Sequence, residues 1–304
     1  MDELERSCEK FIVIDEFEEN PSYELIKSIA NQISSNNIET VIAIGGGSTI
    51  DSAKAAVWFA AGEKPSATKV IAVPTTAGTG SEVTPYAILT NNDGKKQILN
   101  HKSIFPDIAL CDPELTVTMP RSVTANTGLD ALCHAVEAYL SVKCQGFMDE
   151  LALSSCQMVY DNLLNVMKNP DDIKSRERML LASLQGGMVL ARCGTVMVHA
   201  LGYGLTEKFG YAHGHANAIL LAGFVSRLAQ KGSLRAKEVM KIFDGRLAHF
   251  INKCGIDTRL PEGSVSEELL EKWIESGYQS YGRVNCVVRI EREDTAFTLE
   301  NAIQ

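Results

Sequence analysis

A glycine-rich turn between an apolar run and a helical pattern limits most strongly what this chain can fold into. The run TVIAI at 40–44 predicts a buried strand, and the residues GGGS at 45–48 follow it at once. Apolar residues between 50 and 57 then recur at helical spacing. A strand that turns through glycines into a helix presents backbone N–H groups to an anion such as a pyrophosphate. A tight turn without a ligand would explain three glycines about as well.

The same alternation of strand and helix surrounds this turn. The apolar run at 10–17 predicts a further buried strand, and the NPS turn at 20–22, with Pro21 at a first helical position, precedes a helical pattern at 25–33. KVIAV at 69–73 predicts a third strand, so the chain should form a parallel sheet with right-handed crossovers. That strand ends in PTTAGTGSE, a second glycine- and hydroxyl-rich loop. Ligands of open parallel sheets bind at this edge, and two such loops favour a nucleotide.

The pattern changes near residues 116–120. Before this point, NNDGKK at 91–96 predicts a hairpin turn, and FPDIALCDPEL at 105–115 predicts a strand and then a turn. After it, long helical patterns dominate and strand-like runs largely vanish. A chain of 304 residues suggests two domains. We predict an α/β dinucleotide-binding domain over 1–118 and a helical metal-binding domain over 119–304.

Charge and composition exclude several classes of partner. The net charge is −9 and the pI is near 5.3, which argues against a nucleic-acid or anionic membrane surface. No apolar run reaches the length of a membrane span, and the first residues, MDELERSCEK, are polar rather than typical of a signal peptide. Eight cysteines are scattered without a CxxC pair, so reduced thiols are the expectation. We therefore expect a cytoplasmic protein that binds neither nucleic acid nor a membrane.

One carboxylate and three imidazoles form a candidate metal site. Asp130 and His134 are four residues apart, so on a helix they share one face. His199 and His213 cannot share a helical turn, and the fold must bring them in. Together the four side chains suit a divalent transition metal such as iron or zinc. For a pair four apart taken alone, a surface ion pair or a satisfied core histidine is the commoner outcome.

Several motifs occur together and in a fixed order: GGGSTIDSAK, PTTAGTGSEVT, DPELT, MP..VTANTGLDALCHAVEAY and HALGY…HGHANA. They resemble those of the iron-containing (group III) alcohol dehydrogenase family, and the resemblance covers about residues 18–300. It implies an N-terminal α/β nucleotide-binding domain with a parallel sheet, an all-α C-terminal metal-binding domain and a cleft between them. This architecture is shared with dehydroquinate synthase.

The resemblance also implies roles for individual residues. The four residues of the candidate metal site match the family's ligands, here for Fe²⁺ with Zn²⁺ as the alternative, and Lys96 matches a lysine near the nicotinamide ribose. On composition grounds Lys96 is more often a solvated turn residue, and Asp51 an ordinary residue of a helix surface. The residues expected along NAD or NADP are Gly46, Gly47, Ser48, Asp51, Thr75, Thr76 and Ser81.

Two departures from the family pattern affect these expectations. Family members usually carry a further strand–helix unit, with the acidic residue that often selects NAD over NADP, before the segment that here begins at Met1. The chain is therefore expected to be a truncated gene model, a fragment or a shortened variant. Many relatives also have a histidine in the cleft where this chain has Tyr203. HALGYGLT resembles a branch that includes phosphonate-metabolism dehydrogenases, which act on small anionic aldehydes.

These observations predict a homodimeric enzyme that interconverts a small primary alcohol and its aldehyde, with a phosphonoaldehyde as one candidate. The metal would polarise the substrate oxygen and the nicotinamide would exchange the hydride. The proton would leave through Tyr203, His215 or water, although a histidine two residues from a ligand more often lines the cleft.

Two alternatives remain open at this point. A polyol-phosphate dehydrogenase or sugar-phosphate cyclase shares the architecture, but it needs several cations for its phosphate, and only Arg192 and Lys208 lie near the predicted ligands in sequence. A truncated, non-catalytic metal-binding protein is the other alternative. Titration with NADH and NADPH would separate an enzyme from such a protein.

Overall fold

The structure is a computed structural model that describes residues 11–15, 21–91, 93–94 and 96–303. Within these residues the first part of the chain combines strands with two helices, and the second part is helical. The strands are β1 (Thr40–Gly45), β2 (Lys69–Pro74), β3 (Tyr86–Thr90), β4 (Lys96–Asn100) and β5 (Ile108–Ala109). The helices of the first part are α1 (Tyr23–Ser35) and α2 (Gly47–Ala60). Those of the second part are α3 (Arg121–Tyr139), α4 (Phe147–Lys168), α5 (Ile173–Cys193), α6 (Val198–Phe209), α7 (His213–Gln230), α8 (Leu234–Ile242), α9 (Leu247–Lys253), α10 (Glu267–Gln279), α11 (Gly282–Asn285) and α12 (Arg292–Ile303).

The described sheet is parallel, with the strand order β1-β2-β5. Small and β-branched residues alternate along its strands, so Ala43 and Ala72 face α2 and pack on Ile50 and Ala53. This packing holds the start of α2 at the carboxyl end of β1. β3 and β4 form an antiparallel hairpin at the predicted turn, where Gly94 has a φ of 74°. Asn92 and Lys95 of that turn lie outside the described residues.

Two predictions about buried strands are wrong. Residues 11–15 pair with no described strand, and Ile12 and Val13 are 45% and 54% exposed; residues 10, 16 and 17 of that prediction lie outside the described residues. β1 forms as predicted, but Ile42 and Ile44 are 50% and 59% exposed. An apolar run indicates that a segment can form a strand. Whether the strand is buried depends on a neighbouring strand and on helices that cover each face of the sheet, and the run contains no information about either.

The start of α1 also differs from the prediction. Ser22 is the N-cap, and its Oγ accepts a hydrogen bond from the backbone N–H of Leu25 at 3.2 Å. Pro21 therefore precedes the cap rather than occupying the first helical position. The predicted end of this helix is confirmed, since Asn36 is the C-cap and Asn37 has a φ of 51°.

The central element of the helical part is α3, which packs against α4, α5 and α7. Residues 128–139 of this helix are all buried. A helix that is enclosed on all sides cannot solvate its polar side chains, so each needs a partner inside the protein. Asp130, His134 and Glu137 are three such residues. The division of the chain at 118 and 119 into two domains stays a prediction.

No single described helix is long and apolar enough to cross a membrane. α5 and α6 pass that length and composition test only as a pair, and they are bent by 113° where they meet.

Candidate metal and nucleotide site

Three polar side chains line one face of α3. Asp130, His134 and Glu137 are spaced by four and three residues, which places them above one another on a helix. They are 4%, 5% and 0% exposed. Because burial of an uncompensated charge is costly, these groups require partners from other helices.

Two other helices bring in the remaining imidazoles. His199 lies in the first turn of α6, and His213 is the first residue of α7. The Nε2 atoms of His199 and His213 lie 3.8 Å and 3.9 Å from Oδ1 of Asp130. Ligand atoms of these three residues all lie within 4.8 Å of one another, a grouping that could hold a metal ion.

His134 lies beside this group. Its Nε2 is 4.0 Å from Oδ2 of Asp130, and its ring stacks on that of His199 with the centroids 4.7 Å apart. The structure therefore brings together all four residues predicted from the sequence. His199 and His213 lie near Oδ1 of Asp130, and His134 lies near Oδ2 of the same carboxylate. Their assignment as ligands stays a prediction.

The outer nitrogens of two imidazoles are engaged by the protein. Nδ1 of His199 contacts Oε2 of Glu137, and Nδ1 of His134 lies 3.3 Å from the carbonyl oxygen of Gly78. Both partners accept hydrogen bonds, so both Nδ1 atoms donate, and in the neutral rings both Nε2 atoms keep a lone pair on the side of Asp130. Nε2 of His199 is buried without a hydrogen-bond partner among the described residues. A divalent cation would satisfy that atom, and a carboxylate with imidazoles suits iron or zinc, so the residues fit the metal.

A metal binds neutral imidazoles and an ionised carboxylate, and the pKa shifts of Asp130, His134 and His213 favour these forms. Burial, which disfavours a charged imidazole, lowers the pKa of His213 to about 4 and also lowers the pKa of His134. Burial works against ionisation of Asp130, but the neighbouring histidines and Asn217 outweigh it and lower the pKa of that carboxyl. His199 differs, because Glu137 and Asp130 outweigh the effect of burial and raise its pKa.

Two residues of this cluster were missed by the sequence analysis. Glu137 holds His199, and Asn217 places its amide nitrogen 3.4 Å from Oδ1 of Asp130 and 3.2 Å from Nε2 of His213. A signal for both was present, since Glu137 is three residues beyond His134 and Asn217 is four residues beyond His213. Each therefore shares a helix face with a predicted ligand.

The two predicted catalytic side chains lie in different environments. The ring of Tyr203 is 5.6 Å from that of His213, and burial together with the carboxylates of Asp130 and Glu137 raises the pKa of this phenol. His215 instead stacks on Tyr211 with the ring centroids 4.4 Å apart. Residues two apart on a helix point to different sides, so α7 directs His215 away from the cluster to which it brings His213.

The predicted nucleotide loops face each other at the carboxyl ends of β1 and β2. Gly46 caps α2, and the backbone N–H of Thr75 donates to the carbonyl of Gly45 at 2.9 Å. A Cβ on Gly46 would lie 3.3 Å from Cγ2 of Thr76, and one on Gly47 would lie 2.8 Å from Cγ2 of Thr79. The loops thus approach so closely that glycine is needed at position 47. Ser48 lies in the first turn of α2 and is half-buried.

Asp51 and Ser81, two of the predicted cofactor contacts, are buried and face each other. Oγ of Ser81 donates to Oδ1 of Asp51, whose Oδ2 accepts from the backbone N–H of Ile88 at 2.9 Å. Nζ of Lys54 lies 3.1 Å from Oδ1 of Asp51 and donates to the carbonyl oxygen of Ser81 at 3.0 Å. These side chains join α2 to the second loop, and a direct contact with a cofactor stays a prediction for them.

Lys96, the remaining predicted cofactor contact, is exposed on β4. Its charge adds to the effect of burial on His213, which lowers the pKa of that imidazole. The place of Lys96 near a nicotinamide stays a prediction.

The second loop also contacts the metal cluster. A Cβ on Gly78 would lie 2.4 Å from the carbonyl oxygen of Thr127 on α3, and the carbonyl of Gly78 itself accepts from His134. On the other side of the loop, a Cβ on Gly80 would lie 2.5 Å from Cα of Gly187 on α5. The loop thus fits between α5 and α3, the helix that carries Asp130 and His134, and it joins the second predicted nucleotide loop to the cluster.

Comparison with known proteins identifies both parts of the chain. Residues 1–113 match the model of the iron-containing alcohol dehydrogenase family, and residues 124–303 match the model of that family's C-terminal domain. Among characterised proteins, a 1-propanol dehydrogenase of Salmonella typhimurium is 37% identical over 210 residues, which cover 69% of this chain and 57% of that protein. The chain thus spans little more than half the length of this relative.

Solved structures confirm the predicted fold class. An iron-containing alcohol dehydrogenase from Thermotoga maritima has a TM-score of 0.84 and 35% identity, over 95% of this chain and 82% of that one. A sulfoacetaldehyde reductase from Bifidobacterium kashiwanohense, solved in complex with NAD⁺, has a TM-score of 0.86 and 29% identity, over 94% of this chain and 82% of that one. An N-terminal domain with a parallel sheet precedes a helical C-terminal domain, as expected.

Proposed function

Because this chain belongs to the iron-containing alcohol dehydrogenase family, we propose that it interconverts a small primary alcohol and its aldehyde by hydride transfer to or from NAD(P). The observation that carries the proposal is the hydrogen bond from Nδ1 of His134 to the carbonyl of Gly78. This contact joins a cluster suited to a divalent metal to a loop suited to a nucleotide. Hydride transfer requires these two sites to adjoin, because the substrate must touch both.

Asp130, His134, His199 and His213 would hold the metal. Iron or zinc bound there would act as a Lewis acid that polarises a carbonyl or alcohol oxygen. Glu137 and Gly78 orient two of the imidazoles. Asp130, His134 and His199 are buried, so little water reaches them. Electrostatic interactions among these side chains are stronger for that reason.

The glycine loops would hold the cofactor, whose nicotinamide supplies or accepts the hydride. The N-terminus of α2 provides backbone N–H groups for a pyrophosphate, and Gly46 and Gly47 let the backbone approach it. Thr75 and Thr76 offer hydroxyl groups from the opposite loop. Lys96, whose charge contributes to the lowered pKa of His213, would supply a positive charge to the cofactor or to an anionic substrate.

Tyr203 is the side chain best placed to move a proton. Its pKa is raised, so the phenol keeps its O–H at neutral pH and can donate a hydrogen bond to a substrate oxygen beside His213. Substitution of this tyrosine by phenylalanine would show whether that donor matters. His215 lies outside this group, and water is the alternative route for the proton.

The substrate proposed here is small, and two candidates have support. A short aliphatic alcohol is favoured by the likeness to a 1-propanol dehydrogenase, and a small anionic aldehyde by the likeness to a sulfoacetaldehyde reductase together with Lys96. Comparing NADH and NADPH oxidation with propanal, sulfoacetaldehyde and phosphonoacetaldehyde tests both. If Lys96 binds the anion, Lys96→Met raises KM for the anionic aldehydes and leaves KM for propanal nearly unchanged.

The central experiment is nucleotide titration followed by metal reconstitution. We expect NADH or NADPH fluorescence to change on binding, and aldehyde reduction to require added Fe²⁺ or Zn²⁺. Metal binding without any nucleotide binding would instead favour the non-catalytic alternative. We further propose that the protein is a cytoplasmic homodimer, which light scattering and cell fractionation test.

A further inference from the structure

We infer that Glu137 is a positioning residue that selects the metal-binding tautomer of His199. The inference rests on the proposed function, because it assumes that the cluster binds a metal. Glu137 lies one helical turn beyond His134 on the enclosed face of α3, and its side chain is fully buried. A carboxylate in such a place is retained only where several donors satisfy it.

The two oxygens of Glu137 have separate partners. Oε1 accepts from the backbone N–H groups of Val196 at 3.1 Å, Val198 at 2.8 Å and His199 at 3.4 Å. Oε2 contacts Nδ1 of His199. One carboxylate therefore fixes both the backbone at the start of α6 and the ring of the ligand that this turn carries.

The direction of the last hydrogen bond determines where the imidazole keeps its lone pair. An ionised carboxylate has no proton to donate, so Nδ1 of His199 must carry one. In the neutral ring, Nε2 then has the lone pair, 3.8 Å from Oδ1 of Asp130 and without a hydrogen-bond partner among the described residues. When the other nitrogen of a histidine donates to a carboxylate, the ring is held in a fixed orientation and its free nitrogen becomes a more basic metal ligand.

An amide at position 137 would reverse this arrangement. In Glu137→Gln the carbonyl oxygen of the amide remains with the three backbone N–H donors, because the NH₂ group cannot accept from them. The NH₂ group then faces Nδ1 of His199, which becomes an acceptor. The imidazole proton moves to Nε2, the atom that a metal needs. Size and backbone contacts are retained, so a purely structural role of Glu137 predicts little loss of metal affinity.

The test is the affinity of the purified apoprotein for Zn²⁺ and Fe²⁺, measured by competition with a chromophoric chelator. We expect E137Q to bind about 10- to 100-fold more weakly than the wild type, with the affinity for NADH unchanged. A wild type that binds metal and an E137Q variant of equal affinity would overturn the role of Glu137 alone. A wild type that binds neither ion would overturn the proposed metal site.

A matched control is Asp294→Asn. Asp294 is 1% exposed, accepts from the backbone N–H of Glu291 at 2.8 Å and pairs with Arg227 at 2.7 Å, but it lies on α12. D294N should lower stability and keep metal affinity, and an equal loss of metal affinity in both variants would refute the tautomer argument. If E137Q fails to fold, ¹⁵N NMR of the wild-type apoprotein with its histidines neutral still decides the matter. A proton on Nδ1 of His199 supports the inference, and one on Nε2 overturns it.

Discussion

The predicted ligands differ in how the protein holds them, and single substitutions can separate them from ordinary histidines. His199 is 7% exposed and His213 half-buried, and each points a nitrogen at Asp130. We expect His199→Ala and His213→Ala to abolish metal binding and turnover. Nucleotide affinity should change little, since the nucleotide loops belong to the first part of the chain. Elemental analysis and NADH titration of the same samples measure both.

The control for these substitutions is His249→Ala, because His249 is exposed and has no predicted role. His101 is not a silent control, although it lies in no motif. Its Nδ1 accepts from the backbone N–H of Ser103 at 3.2 Å and its ring lies 4.4 Å from that of Trp58. Metal content near one per chain in both ligand variants would show that the histidines are only core residues.

Burial of His213 makes the stability of the apoprotein depend on pH. The pKa of this imidazole falls from 6.5 to about 4 in the fold, so between these values the unfolded chain binds a proton that the folded chain does not. Its contribution to stability is therefore present above pH 6.5 and lost as the pH falls toward 4. Urea unfolding of the apoprotein at several pH values should show a loss on acidification that is smaller in His213→Ala. Equal slopes in the two proteins would contradict the assignment.

Among the secondary-structure elements, the turn from β1 into α2 depends on a glycine at position 47. A Cβ there would lie 2.8 Å from Cγ2 of Thr79 on the facing loop, and the backbone N–H groups of this turn are the ones proposed to bind a pyrophosphate. We expect Gly47→Val to weaken NAD(P)H binding at least tenfold, about 1.4 kcal/mol. Adding Thr79→Ala removes the two nearest atoms of the facing loop, Cγ2 and Oγ1, and leaves only Cβ at 3.1 Å, so weak binding that persists in the double variant supports a pyrophosphate at this turn. Unchanged affinity in folded Gly47→Val removes the turn from the site.

The connection between α2 and the second loop depends on Lys54, which is 0% exposed. Its ammonium group pairs with Asp51 and donates to backbone carbonyls of Ser81, Thr84 and Tyr86. Removing it leaves a buried carboxylate without its counter-ion, so we expect Lys54→Met to lower the free energy of unfolding by about 3–5 kcal/mol. Denaturant titration measures this loss.

A matched control is available on the surface. Lys69 pairs with Asp107 at 2.8 Å, but its side chain is 63% exposed, so Lys69→Met should cost about 0–1 kcal/mol. Adding Asp51→Asn to Lys54→Met should recover part of the loss, because the buried charge is then removed as well. Similar costs for the two lysines would mean that Lys54 contributes no more than a surface ion pair.

For the molecule as a whole, the close approach of Gly80 to Gly187 is one of the contacts that join the sheet part to the helical part. A Cβ on Gly187 would lie 2.7 Å from Cα of Gly80 and 2.8 Å from Cγ2 of Val83. We expect Gly187→Val to push the loop off α5 and to cost about 1–3 kcal/mol of stability. Affinity for metal and for NADH should both fall, because Gly78 of the same loop holds His134. Met188→Ala, an exposed neighbour, is the control, and loss of only one affinity would refute the coupling.

Local patterns in the sequence were sufficient to predict the strand, glycine turn and helix at 40–57, a hairpin with its turn at 91–96 and the shared face of Asp130 and His134. Each depends on the geometry of a few consecutive residues, which repeat every two or 3.6 positions. The chemistry of four side chains suggested the candidate ligands, and the resemblance to a family matched the same four, although no spacing rule connects His199 and His213 to α3.

Tertiary packing decided the rest. The layers over a strand are distant in sequence, so the run at 11–15 forms no described strand and β1 exposes Ile42 and Ile44. Packing likewise decides which acceptor lies beside the nitrogen of a histidine that faces away from the metal site. Nδ1 of His134, for example, lies beside the carbonyl oxygen of Gly78, which is 56 residues away in the sequence. A sequence records the helix face on which a side chain lies. The partner on that face depends on the assembled core, because it is the close packing of helices distant in sequence that brings the two side chains together.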